Sequence, residues 1–444
     1  MDHRELKFAF YGDDFTGATD TLSTLATAGL STLLFMGPPT AAQLGAAGPL
    51  DCLGIAGAAR AMRRSEQEVE LEPIARFFAQ LAAPVTHYKT CSTFDSSVEL
   101  GSIGTALRVF RKHLNAASFL PIVGGQPSLG RYCVFGNLFA AFQAGGSAYR
   151  LDRHPTMSGH PVTPMHESDL RLHLAAQGQD RIGLVEYPQY DLAPDDFDVM
   201  LGRQIANNPD GVLFDVGHAA HLPVVGRAIW QHASRQALLA AGPSSVAQAL
   251  IAHWQASEVL KPASQQCALA QIDDAAGPVF ALSGSRSPLT AAQIDAAASY
   301  QRIPVDASVL MGQGSPSRAA LLAMIHAGLS QGRNVLVYLM GGAGANCGAA
   351  APTPADLAKS CAALLADVLE VARPRRVGIA GGDTSSYAVR ALDVWGLSYL
   401  GQLDAGVALC RMHSDNPQLQ GVEIMLKGGQ MGSESIFEKL LSLH

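Results

Sequence analysis

The chain has 444 residues, of which 48% are hydrophobic and 16% charged. This length excludes a single small module and predicts two or three domains. The composition is too apolar for disorder and lacks the long apolar runs of a membrane span. A net charge of −7, from 31 basic and 38 acidic residues, argues against nucleic acid or an anionic membrane as the main partner.

The first residues, Met1-Asp2-His3-Arg4-Glu5-Leu6-Lys7, lead into no apolar stretch of signal-peptide length. The seven cysteines (Cys52, Cys91, Cys133, Cys267, Cys347, Cys361 and Cys410) are odd in number and contain no C-x-x-C. Reduced thiols in the cytoplasm are therefore expected, with neither a disulfide framework nor a structural zinc site.

Residues 7–12 read as a first buried strand ending in Gly12, and 16–28 as a helix stopped by Gly29. Strands follow at 31–36 and 53–56. The stretch 65–81 reads as a helix with Ser65 as N-cap and Glu68 closing a capping box. A strand at 85–89 and a helix at 101–114 continue the alternation, which signals a parallel α/β domain. Residues 124–170, rich in Gly, Pro, His and aromatics, give no regular reading; long irregular stretches of this kind are usually functional. Strands resume at 182–186 and 212–215, and helices run to about 256. The polar segment 257–277 reads as a linker, so the predicted division is 1–256 and 278–444. Beyond it come strand–helix pairs at 278–283/288–299, 334–340/354–372, 375–380/384–395 and 422–427/433–442. The expected fold is α/β, in two domains. Each is built on a mostly parallel sheet with flanking helices, and the active site is expected in the interdomain cleft.

Three places in the C-terminal part share a strand, a Gly/Ser/Thr turn and a helix: Ser283-Gly284-Ser285-Arg286-Ser287, Gly381-Gly382-Asp383-Thr384 and Lys427-Gly428-Gly429. A fourth turn is Gly341-Gly342-Ala343-Gly344-Ala345-Asn346. In a parallel sheet such turns lie at the carboxyl edge, where the next helix offers N–H groups to an anion. The bland reading is that they are ordinary joints of the fold. No P-loop motif occurs, and Gly342-Ala343-Gly344-Ala345-Asn346-Cys347 fails G-x-G-x-x-G at its last position, so a Rossmann fingerprint is not met.

At the other end, Asp13-Asp14 ends the first strand and Asp20 follows in the helix. Paired carboxylates beside a helix start suit hydroxyl recognition, proton removal or Mg²⁺ binding, whereas capping alone accounts for only one of them. Lys89, Ser92 and Thr93 follow another strand and could meet an anion and hydroxyls. Cys91 has no local support as a nucleophile. His154, His160, His166, His218 and His221 lack the carboxylate or cysteine spacing of a metal site, so metal ligands stay unassigned.

Asp13-Asp14-Phe15-Thr16-Gly17-Ala18, the Gly284–Ser287 turn, Gly381–Thr384 and Leu426-Lys427-Gly428-Gly429-x-x-Gly432 occur in the order and at about the spacing of the four-carbon acid sugar kinase family, which the chain resembles over essentially its whole length. The resemblance implies an N-terminal domain for the acid sugar and a C-terminal domain for ATP. It implies transfer of the γ-phosphoryl to a terminal hydroxyl of a 3-oxo-tetronate, threonate, erythronate or a branched relative such as 3-oxo-isoapionate. Asp13 and Asp14 would then be the catalytic pair, with Asp14 slightly favoured as base. Asp13, Asp14, Asp20, Lys89, Ser92 and Thr93 would hold the acid. Ser285, Gly381, Gly382, Asp383, Thr384, Gly428 and Gly429 would hold ATP, with Mg²⁺ on the phosphates. Many members carry Lys-x-Asp-Ser-Thr-Leu-Arg-Gly where this chain has Lys89-Thr90-Cys91-Ser92-Thr93-Phe94-Asp95-Ser96. The acid has become Cys91 and the arginine position holds Asp95, which bears on substrate identity.

Two other readings stay open. An isomerase or aldolase could use the glycine turns for a substrate phosphate and Lys89 for a Schiff base. A non-enzymatic sugar-acid sensor would need neither. The expected partner is a small sugar acid, not nucleic acid or membrane, and the oligomeric state is open between monomer and homodimer.

Overall fold

Phe8–Gly12 (β1) is buried along its whole length, as a strand covered on both faces must be. It is an interior strand of a parallel sheet in a computed structural model that describes residues 6–114, 117, 119–142, 145–159, 163–207, 209–260, 274–312, 317–340 and 353–442. The chain forms two units, Met1–Ala268 and Leu269–His444.

In the first unit the strands are β1, β2 (Thr32–Phe35), β3 (Cys52–Ala56), β4 (Val85–Lys89), β5 (Pro121–Gly124), β6 (Arg131–Val134), β7 (Asn137–Ala141), β8 (Ala148–Arg150), β9 (Ile182–Val185), β10 (Gly211–Asp215) and β11 (Leu238–Gly242). Eight of them lie in the order β2-β3-β1-β4-β11-β5-β10-β9 and pair in parallel. The register sets Gly12 opposite Ala56 on one side and Lys89 on the other, so the chain segments leaving β1, β3 and β4 emerge side by side. The irregular region contains β6, β7 and β8, a small antiparallel sheet. The helix predicted at 65–81 runs Arg64–Leu81, and its capping contact is two residues earlier than expected: Glu66 accepts from the Arg63 backbone N–H at 2.9 Å.

The second unit contains β12 (Phe280–Ser283), β13 (Tyr300–Val305), β14 (Asn334–Leu339), β15 (Arg376–Ala380), β16 (Gly396–Asp404), β17 (Val407–His413) and β18 (Glu423–Lys427). The order is β13-β14-β12-β15-β18-β17-β16, parallel as far as β18 and antiparallel beyond. Strands β12, β15 and β18 are neighbours, so the three glycine turns that follow them share one edge. The core beneath joins Leu336, Met425 and Phe437, each fully buried side chain of this kind contributing about 1.5–3 kcal/mol. The turn Gly341–Asn346 lies outside the described residues. The helix expected from 288 to 299 ends at Ala296 and gives way to β13. The expected helix 433–442 is a single turn, Ile436–Lys439. Among the described residues no helix is long and apolar enough to cross a membrane.

Candidate functional site

Asp13 and Asp14 end β1 together, but their surroundings differ. Asp14 caps the helix Phe15–Thr27: one carboxylate oxygen accepts from Gly17 N–H at 3.0 Å, the other from the Thr16 hydroxyl at 2.6 Å. The same carboxylate pairs with Arg60 at 2.8 Å. Burial works to raise its pKa, but Arg60, Lys89 and the two hydrogen bonds hold it below the ordinary carboxylate range.

Asp13 is 1% exposed, and its Oδ1 has no hydrogen-bond partner. Burial, then the neighbouring Asp14 charge, push its pKa up to about 7 against the opposing pull of Arg60 and Lys89. Its backbone is fixed from both sides: Asp13 N–H donates to Lys89 C=O, and Arg60 N–H donates to Asp13 C=O, each at 3.0 Å. The pair therefore holds one committed carboxylate and one uncommitted carboxyl near neutrality, the division of labour expected of a stabiliser and a base.

Lys89 is buried at the end of β4, and its ammonium donates to Thr90 C=O at 2.9 Å. Room for it comes from Gly17, where a Cβ would lie 2.2 Å from Nζ. In the following loop Thr93 donates to Asp95 at 2.7 Å and lies 3.2 Å from the Cys91 sulfur. Phe94 between them sits at φ 54°, a left-handed conformation rare for an aromatic residue. Burial and Asp95 push the Cys91 thiol up to about 11, the wrong direction for a nucleophile. Ser92 is half-buried and has no hydrogen bond among the described residues.

Asp20 stands apart from the pair. Its carboxylate accepts from Gln126 at 3.0 Å and from the Ser244 hydroxyl, tying the first helix to the segments after β5 and β11. Two arginines escaped the sequence reading. Arg60 lies in Ala59-Arg60-Ala61-Met62-Arg63-Arg64, where nothing distinguishes it from its arginine neighbours. Arg131 opens β6 in the stretch that had no regular reading.

In the second unit the turns interlock. Gly284 N–H and Ser285 N–H both donate to Ala380 C=O, and Gly381 N–H donates to Lys427 C=O at 2.9 Å. Ser287 caps the helix Pro288–Ala296, and both Ser287 and Thr290 donate to Gly429 C=O. Thr290 Oγ1 also lies 3.0 Å from Ser285 Oγ. A Cβ on Gly284 would lie 2.1 Å from Thr384 Oγ1, and one on Gly429 would lie 2.7 Å from Ser285 Oγ. Gly381 sits at φ 127°, where a side chain is strained. Ser285, Gly381, Thr384 and Gly429 are thus brought together. Gly382 opens the helix Gly382–Ala391, Gly428 follows β18, and the Asp383 side chain lies outside the described residues. Lys427, the last residue of β18, is part of the glycine motif in the sequence, but nothing there marks it as buried. Its ammonium is fully buried, 3.4 Å from Thr290 Oγ1, and burial brings its pKa down to about 7.

No group of three His, Cys, Asp or Glu able to hold a metal occurs among the described residues. His154 and His218 serve as local caps, accepting from Thr156 N–H and Ala220 N–H. His160 lies outside the described residues.

The family described as the sugar-binding N-terminal domain matches residues 8–250, and that described as the nucleotide-binding C-terminal domain matches residues 280–437. The chain is 37% identical to a 3-oxo-isoapionate kinase of Paraburkholderia graminis, over 97% of this chain and 93% of the relative. It is 28% identical to a 3-oxo-tetronate kinase of Pseudomonas fluorescens, over 97% and 95%. A solved Salmonella typhimurium LT2 protein described as a tRNA synthase shares the fold, with a TM-score of 0.76 at 23% identity over 98% of both chains. The Haemophilus influenzae protein HI1011 does so with a TM-score of 0.69 at 23% identity, over 97% of this chain and 98% of that one. The chain belongs to the four-carbon acid sugar kinase family, which joins a sugar-binding N-terminal domain to a nucleotide-binding C-terminal domain.

Proposed function

We propose that the protein is an ATP-dependent kinase that phosphorylates the terminal hydroxyl of a small sugar acid, with 3-oxo-isoapionate as the first candidate because that acid is named for the relative at 37% identity. Residues 1–256 would hold the acid and 278–444 the nucleotide, joined by 257–277. The observation that carries the reading is Asp13, a buried carboxyl with an unpartnered oxygen and a pKa near 7, beside an Asp14 that is already capped and paired.

Asp13 takes the proton of the attacking hydroxyl, because a base poised near neutrality is both deprotonated often enough and basic enough to accept it. Asp14 holds Arg60 and the helix start in place. Lys89 and Arg60 offset the negative charge gathered around the base. Ser92 and Thr93 meet the hydroxyls of the acid, and Asp20 acts indirectly by fixing Gln126. In the C-terminal unit, the turns of Gly284, Gly381 and Gly429, packed on Ser285 and Thr384 too closely for a side chain, would hold the nucleotide phosphate chain at the sheet edge, with Gly428 beside them. Gly382 and Asp383, at the start of the adjoining helix, belong to the same site. ATP supplies the γ-phosphoryl group. Mg²⁺ would neutralise charge on the phosphates of the bound nucleotide. The enzyme would work in the cytoplasm, where bacterial sugar-acid metabolism runs.

ADP release measured over a panel of four- and five-carbon sugar acids tests the proposal. Acid-dependent ADP formation with a phosphorylated acid as product is expected. ATP turnover that no acid in the panel stimulates would overturn it.

A further inference from the structure

Arg131 is held in place on every side except one. Gln126 N–H donates to Arg131 C=O at 2.8 Å and Arg131 N–H to Gln126 C=O at 3.2 Å, and the Gln126 side chain is itself anchored on Asp20. The guanidinium gives Nη1 to Leu129 C=O. Its Nε is buried without an acceptor, and Nη2 donates no hydrogen bond among the described residues, where Nη1 is the guanidinium's donor. Nε and Nη2 form one edge of the guanidinium, the edge that matches the two oxygens of a carboxylate.

Three other arginines fill that edge. Arg171 gives Nε and Nη2 to Asp169 at 3.0 and 2.7 Å, and Arg150 gives the same pair of atoms to Asp152. Arg318 gives both to Asp367. Arg131 has no carboxylate within ion-pair distance among the described residues. Leaving a buried charged donor unsatisfied is costly unless a ligand supplies the acceptor. Arg131 also sits within electrostatic reach of Cys91 and Asp95, the residues that Arg60 faces from the side of Asp13 and Asp14.

We infer that Arg131 binds the carboxylate of the acid substrate through its Nε/Nη2 edge and so makes the enzyme select an acid over a neutral sugar. The inference rests on the sugar-acid kinase reading. A single planar anion fits better than a phosphate dianion, because Asp95 stands close by and disfavours a second negative charge.

The test uses the full-length enzyme and compares 3-oxo-isoapionate with its primary amide, which keeps the hydroxyls but lacks the charge. If another acid leads the panel, that acid and its amide replace them. The wild type should favour the acid over the amide in kcat/KM by roughly 10- to 100-fold, the span of hydrogen bonds to a charged group. In Arg131→Met the ratio should fall to within about threefold of one, mainly through the KM of the acid. Arg131→Lys, which keeps the charge without the fork, should retain part of the preference, and it decides the matter if the Met variant does not fold. A merely structural role would lower turnover of both compounds and leave the ratio intact, so an unchanged ratio in a folded variant overturns the inference. Failure of the wild type to phosphorylate any acid would instead overturn the kinase reading itself.

Discussion

Gly17 and Lys89 share one space. A Cβ on residue 17 would meet the Lys89 ammonium at 2.2 Å and Asp14 Oδ1 at 2.3 Å, so the first helical turn is open just where the end of β4 delivers its charge. Gly17→Ala should therefore displace Lys89, whose side-chain end can move, without unfolding the protein. Misplacement by about 1 Å can cost on the order of 10²-fold in turnover, and a loss of that order is expected in kcat/KM for the acid. Steady-state kinetics beside a thermal melt check this. A folded variant with wild-type kinetics would show that the lysine's position is immaterial.

Asp13→Asn and Asp14→Asn should part company. Loss of the base predicts a kcat lowered by about 10²–10⁴-fold in Asp13→Asn, with little change in the KM for ATP. The wild-type rate should rise with pH through an apparent pKa near 7, as Asp13 deprotonates. Stability should move the other way. The folded pKa of Asp13 is raised above its unfolded value near 4, so its ionisation lowers stability as pH rises from about 4 to 7. Asp13→Asn should accordingly melt higher than wild type at pH 8, with the advantage gone at pH 4. Asp14→Asn should melt lower at pH 8, because Arg60 loses its ion partner. A flat pH–rate profile together with a near-normal kcat in Asp13→Asn would remove the residue from catalysis.

Much of this arrangement was legible in the sequence, because buried parallel strands are continuous apolar runs and the turns after them are written in Gly, Ser and Asp. β4 was read at its observed bounds, and Ser285, Gly381, Thr384 and Gly429 do meet at one edge. What stayed hidden depends on contacts distant in sequence. Asp13 and Asp14 are adjacent and alike, and the ion pair that joins the local cap in committing Asp14 comes from Arg60, some 46 residues on. β13 was missed because Pro304 weakens a strand reading; the structure puts that strand at the edge of its sheet, where a missing N–H is tolerated. The β16–β17 hairpin has register shifts that break the alternation a strand is recognised by.

The interlocked glycine turns make a sharper demand on the nucleotide site. A side chain at residue 429 would press on Ser285 Oγ, while the carbonyl of that residue holds Ser287 and Thr290. Gly429→Val should weaken binding of a non-hydrolysable ATP analogue by about tenfold or more, roughly 1.4 kcal/mol, as measured by calorimetry. Unaltered affinity in a folded variant would exclude this turn from the nucleotide site.

Lys427 gives a prediction about stability rather than rate. Its ammonium is 0% exposed and its described contact is a hydroxyl, Thr290 Oγ1. Burial lowers its folded pKa to about 7, against about 10.4 for an unfolded lysine. Between those values the unfolded chain binds more protons than the folded one, so stability rises with pH. Below about pH 7 the lysine is charged in both states, and the full cost of burying that charge is present. Above about pH 10.4 it is neutral in both, and the cost has gone. Lys427→Met keeps most of the side-chain volume and removes the charge. In the nucleotide-free protein it should raise the melting temperature most at pH 6–7, with the gain shrinking steadily toward pH 10. Melts of the two proteins across that range decide it. A gain that does not vary with pH would mean that packing, not a desolvated ammonium, is what the substitution changed.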